Sequence, residues 1–285
     1  MRRGTDPRGY TILEVMIFLA VSGVMFLIAA TFISDKQTKS EFKLSMDDIN
    51  TQVQQVINDV GNGYFPSNNN FTCTASNIAG APPTFAPGAN PGGQGANRGC
   101  VFLGKVIQFR VNGTNQAGYN IYTVAGRQYR TSSGEGTLAT SFSEAQPRAV
   151  YDTSSSPPAF NLTEVRNLKW GVRVTSIVNG ATPINGIGFL NSFGKYGANT
   201  SLESGSQSIL VVIVPGTQPT GNETQAQMVA DIATGVSDAN ITPRPNILIC
   251  FDGGSGQFGT LRIGGGDGQR ITTRTQISNE VPAGC

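Results

Sequence analysis

Apolar and polar positions change their period twice along the chain. Residues 15–34 carry no charge at all, and at about 1.5 Å per residue they make about 30 Å of helix, the thickness of a bilayer's hydrocarbon core. Beyond them Phe42, Met46, Ile49, Val53, Val56 and Val60 recur at alternating spacings of four and three. That is one face of a helix, with Lys39, Glu41, Lys43, Asp47, Asp48, Gln52 and Asn58 off it. The stripe is too short for a coiled coil and reads as a core face. Gly61-Asn62-Gly63 supplies the stop. The spacing predicts one helix over residues 10–60, roughly 75 Å long.

After residue 100 the period shortens. Segments 101–111, 119–124, 165–178, 187–193, 208–214 and 247–251 are rich in β-branched and aromatic residues and separated by Gly, Asn or Pro, so they read as strands. Residues 222–234 offer a short helix with Met228, Val229 and Ile232 on one face. Residues 260–263 and 270–277, joined by a turn containing Asp267-Gly268, read as a closing hairpin. Residues 64–100, rich in Asn, Pro, Gly and Ala, read as a long surface loop. The fold class this predicts is α+β, a long N-terminal helix packed on a mostly antiparallel β-sheet head.

Composition narrows the chemistry. The 285 residues include 36 Gly, 15 Pro, 4 Cys and no His, and only 13% are charged, against roughly 25% in ordinary soluble domains. Without histidine, His-ligated zinc, haem and Ser-His-Asp catalysis are excluded. The head offers only scattered Ser, Asp and Glu, so neither an enzyme nor a cofactor is expected. Asp252-Gly253-Gly254 and Gly266-Asp267-Gly268 lack the spaced carboxylates of a calcium loop and read as turns. Asn-x-Ser/Thr triplets starting at Asn70, Asn112, Asn161, Asn199, Asn222 and Asn240 mark surface loops.

Four cysteines allow three connectivities. Pairing Cys73 with Cys100 and Cys250 with Cys285 is favoured, because each pair brackets one Gly-rich or hairpin-rich segment. Such bonds call for an oxidising compartment.

Before the apolar run stand Arg2, Arg3 and Arg8 against a single Asp6. Basic residues on that side hold the N-terminus in the cytoplasm and send residues beyond Lys36 across the membrane. A cleaved signal peptide has a shorter core and an A-x-A-like site, which the region around Ala29-Ala30 does not supply. Glu14 interrupts the apolar character at its start. A carboxylate deep in a bilayer costs about 2.5–3.5 kcal/mol, so Glu14 calls for a partner.

The stretch Arg8-Gly9-Tyr10-Thr11-Ile12-Leu13-Glu14-Val15 resembles the processing site of type IV prepilins and type II secretion pseudopilins. The resemblance implies that a prepilin peptidase cuts between Gly9 and Tyr10 and that Tyr10 becomes the N-methylated terminus. It also implies that Glu14, then fifth in the mature chain, pairs with a neighbouring subunit's new amine, which offsets the burial of both. The chain departs from the pattern at Tyr10, where Phe is usual, and at Thr31, where a proline often stands. Residues 247–253 and 259–263 also resemble the closing strands of H-class minor pseudopilins.

The organisation so implied is a leader peptide over 1–9, a transmembrane helix over 10–34, its amphipathic continuation over 35–60 and an extracytoplasmic head over 61–285. The expected function is that of a structural subunit, a minor pilin, of a type IV pilus-like filament for adhesion or surface motility. It would be a single-pass cytoplasmic-membrane protein first and part of a cell-surface filament afterwards. Its expected partners are the prepilin peptidase, other pilin subunits, an inner-membrane assembly platform and membrane lipid. Alternatives are a pseudopilin of a type II secretion or DNA-uptake filament, and a membrane-tethered binding ectodomain. DNA is the lesser expectation as a partner. Without residues 1–9 the chain has 17 basic and 17 acidic side chains, the whole chain's 20 and 18 less three Arg and one Asp. Arg127 with Arg130, and Arg262, Arg270 and Arg274, are the residues that could form a basic strip.

Overall fold

The computed structural model describes residues 11–63, 71–75, 80–88, 100–111, 118–129, 138–192, 209–216, 218–219, 223–243, 245–254, 256–264 and 271–285. One helix, α1 (Ile12–Gly61), runs through the uncharged stretch and the striped stretch alike. The chain divides into two units, Met1–Leu44 and Ser45–Cys285.

In the second unit the stripe is the buried face of α1. Met46, Ile49, Val53, Val56 and Val60 are each exposed by 2% or less, as a 3.6-residue period against a core requires. This part of the helix is bonded to elements far away in sequence. Asp59 meets Lys105 at 2.8 Å, Gln54 Nε2 donates to Thr273 Oγ1 at 2.9 Å, and Asp48 meets Lys169 at 3.3 Å.

Strands β3 (Cys100–Phe109) and β4 (Gly118–Arg127) form the centre of a six-stranded antiparallel sheet. β9 (Gly186–Asn191) and β10 (Ile209–Val214) extend it on the β3 side. The short β5 (Arg148–Ala149) and β6 (Thr163–Asn167) both pair with β4. Every residue of β4 is buried, the mark of a strand covered on both faces. One of those faces packs Val106, Tyr122, Val124, Leu190, Val212 and Val214 with Met228 and Ile232 of helix α3 (Gln225–Gly235). Thr224 and Gln227 cap α3 reciprocally, each side chain taking the other's backbone N–H. A one-turn helix, α2 (Phe142–Ala145), joins the same cluster, and the Asp238 carboxylate accepts from the N–H groups of Phe142 and Ser143 at 2.7 and 3.1 Å.

A second, five-stranded sheet has the order β13–β12–β11–β7–β8. Its strands are β7 (Arg173–Asn179), β8 (Thr182–Pro183), β11 (Asn246–Asp252), β12 (Phe258–Gly264) and β13 (Thr272–Ser278). Ile247, Ile249, Phe251, Leu261 and Ile263 point to its buried side, each exposed by 1% or less. A parallel bridge from Val111 to Val174 and a bond from Gln218 Nε2 to the Ile177 carbonyl at 2.6 Å link this sheet to the first.

Two expectations are corrected. Segment 165–178 is not one strand but two, β6 and β7, which belong to different sheets. Between them Trp170 and Gly171 take positive φ values of 53° and 72°, which breaks the extended run and redirects the chain. The stretch 64–100 is not all loop. β1 (Phe71–Thr74) and β2 (Thr84–Pro87) form an antiparallel hairpin, held because Phe71 packs on Phe85 and on the distant Phe160, ring centroids 6.0 and 5.8 Å apart.

Candidate functional site

α1 begins at Ile12 with Thr11 just before it. The Thr11 hydroxyl accepts the Glu14 backbone N–H at 3.3 Å, a helix-start cap that satisfies one otherwise orphaned donor. Glu14 therefore lies in the first turn, where the helix dipole favours a carboxylate. Its side chain is exposed, and no ion pair to it exists among the described residues. The turns that follow are apolar on every side. Leu13, Met16, Phe18, Leu19, Phe26 and Leu27 are all at least 60% exposed, and none of the most apolar 18-residue window is buried. α1 is long and apolar enough to span a membrane. A soluble helix buries such residues, so this segment is built for a lipid or protein surround.

Gly9 and Tyr10, and with them Arg2, Arg3 and Arg8, lie outside the described residues. The cysteines are bonded as Cys73–Cys100 and Cys250–Cys285, with Cα atoms 6.1 and 5.7 Å apart. The first bond ties β1 to the start of β3, and the second ties Cys285 to β11. Among the described residues no group of acidic or cysteine side chains is arranged to hold a metal ion. At Asp252 the side chain accepts the Gly254 N–H at 2.7 Å, a local turn bond.

The arginines behave unequally. Arg127 is fully buried, its guanidinium donating to the Ala81 carbonyl at 3.2 Å, so it belongs to the interior and not to a surface strip. Arg130 and Arg270 lie outside the described residues. Arg262 and Arg274 are exposed and face each other across β12 and β13.

Sequence reasoning missed the charge cluster centred on Lys105. This residue is 2% exposed, yet its ammonium lies 2.8 Å from Asp59 and 3.3 Å from Glu164. Burial raises the Glu164 carboxyl, but hydrogen bonds from Arg166 and Lys105 outweigh it and hold the group below its ordinary range. The signal in the sequence was a lysine inside a strand in which Gln108 is the one other polar side chain.

A scan against protein-family models and searches of curated proteins and of solved structures found no match to this chain.

Proposed function

We propose that this chain is a structural, non-catalytic subunit of a type IV pilus-like filament, cut after Gly9 and assembled through the first half of α1. What carries the reading is Glu14, a carboxylate with no ion pair among the described residues, in the first turn of a helix whose following turns are apolar and unburied. In hydrocarbon such a group requires a cationic partner, and a newly exposed N-terminal amine on an adjacent subunit meets that need at no further cost in charge. The disulfide-closed head fits an oxidising compartment. A minor subunit is favoured within the filament, with the head serving adhesion or motility.

Two measurements test this. Mass spectrometry of the chain from cells with and without prepilin peptidase should find a mature start at Tyr10 bearing one extra methyl only when the peptidase is present. An intact N-terminus in both would sink the proposal. Glu14→Gln keeps the helix start and removes the charge, and should abolish incorporation into filaments while leaving head folding intact.

A further inference from the structure

The register of the five-stranded sheet sets Arg262 of β12 directly opposite Arg274 of β13. Period-two alternation turns Leu261 and Ile263 inward, each exposed by 1% or less, and so sends Arg262 to the outer face. Arg274 follows it through the pairing. Side chains directly opposite each other on antiparallel strands start about 5 Å apart at Cβ, and like charges there destabilise the sheet. Three other cations of the head have carboxylate partners: Lys105 has Asp59 and Glu164, Arg166 has Glu164, and Lys169 has Asp48. Neither Arg262 nor Arg274 makes an ion pair among the described residues. Glu280, on the following segment, bonds Ser278 through its backbone N–H.

A charge on an outermost strand protects a sheet from adding strands of other chains. That accounts for Arg274 but not for Arg262, which stands on an inner strand paired on both sides. Next in the same row is Leu248, 7% exposed, so one flank of the arginine pair is apolar and the local dielectric is lowered. A guanidinium presents a rigid fork of N–H donors matched to a planar or tetrahedral oxyanion. Two forks on one row can close on one group.

We infer that Arg262 and Arg274 together form an anion site on the outer face of the head, taking a phosphate- or sulfate-type oxyanion. A free ion and the charged head of a larger molecule offer the same group. The inference rests on strand register and stands apart from the filament proposal.

The test uses the full chain in non-ionic detergent, with thermal unfolding followed in chloride and in phosphate at equal ionic strength. Phosphate stabilises proteins generally, so the readout is the difference between the wild type and the variants Arg262→Gln and Arg274→Gln. The wild-type midpoint should rise in phosphate by about 2 °C more than either variant's. In dilute chloride alone each variant should melt slightly above the wild type, because the repulsion has been removed. Arg274→Lys, a point charge without the fork, should keep only part of the phosphate effect. A phosphate shift of equal size in the wild type and both Gln variants would overturn the site. Repeating the series with glycerol phosphate separates the two sources. A shift at least as large as with orthophosphate assigns the site to an esterified head group, and a shift seen with orthophosphate alone assigns it to the free ion.

Discussion

Lys105 Nζ on β3 lies 2.8 Å from Asp59 Oδ2 near the end of α1. This bond joins two residues 46 apart in sequence and sets where the end of the helix lies along the strand. The lysine is nearly inaccessible, whereas Asp59 and Glu164 are 22% and 36% exposed at their side chains.

That asymmetry orders two substitutions. Asp59→Ala leaves a buried ammonium without one of its carboxylates and should cost about 3 kcal/mol. Lys105→Met fills the same volume and leaves carboxylates that water can reach, so its cost should be about 1 kcal/mol. Urea unfolding of the full chain in detergent measures both, and the reverse order would show that the bond does not anchor the helix.

Gly104 has a φ of 149°, and a Cβ built there would overlap the Phe189 carbonyl and stand 2.8 Å from Leu190 Cα. Gly104→Ala should therefore prise β3 from β9 at a cost of about 3 kcal/mol. Gly23 has nothing within 4 Å of the same added atom, so Gly23→Ala should leave the unfolding midpoint of the head unchanged. Matched melts of the two variants decide this.

The Cys73–Cys100 bond spans 27 residues. Removing it by a double Ser substitution should cost about 3 kcal/mol in the chain-entropy account. The loss should be local, loosening the β1–β2 hairpin and the cluster of Phe71, Phe85 and Phe160. Limited proteolysis should then cut between residues 75 and 100 under conditions where the wild type is left whole. Unchanged cleavage would mean that the aromatic cluster alone holds the hairpin.

Asp152 accepts bonds from Ser154 N–H and Oγ–H at 2.8 and 2.6 Å, from Ser155 Oγ–H, and from Ala159 N–H at 2.9 Å. The serine hydroxyls, then the backbone donors, hold its carboxyl well below the usual carboxylate range. A depressed folded value contributes stability that is complete above the unfolded value of about 4 and is lost as pH falls below it. Asp152→Asn should accordingly be less stable than wild type at neutral pH and show a flatter loss between about pH 4 and pH 2. Parallel acid curves for the two proteins would contradict the assignment.

Much of this molecule can be read from local period. Met46, Ile49, Val53, Val56 and Val60 announce the buried face of α1 because four-three spacing has one physical meaning. Strands β3, β4, β9 to β13 and helix α3 fall where β-branched runs and an apolar helical face place them, within a few residues. The turn at Trp170 escaped because only one glycine follows it and its neighbours on both sides favour strands. The β1–β2 hairpin escaped because its core partner, Phe160, lies more than 70 residues further along. Of the proposed site, Glu14 is visible as the lone charge at the head of an apolar run, while the bond its backbone N–H donates to the Thr11 hydroxyl needed the structure.

By itself the sequence determined the elements whose cause is near at hand: a helix from its spacing, its membrane-length apolar half from its lack of charge, and exclusion of histidine chemistry from composition. The tertiary structure alone decided which distant residues meet. It buried Lys105 against Asp59, withdrew Arg127 into the interior and set Arg262 opposite Arg274. The reason is physical, since register and burial depend on how separate elements are brought together, and no short stretch of chain carries that information.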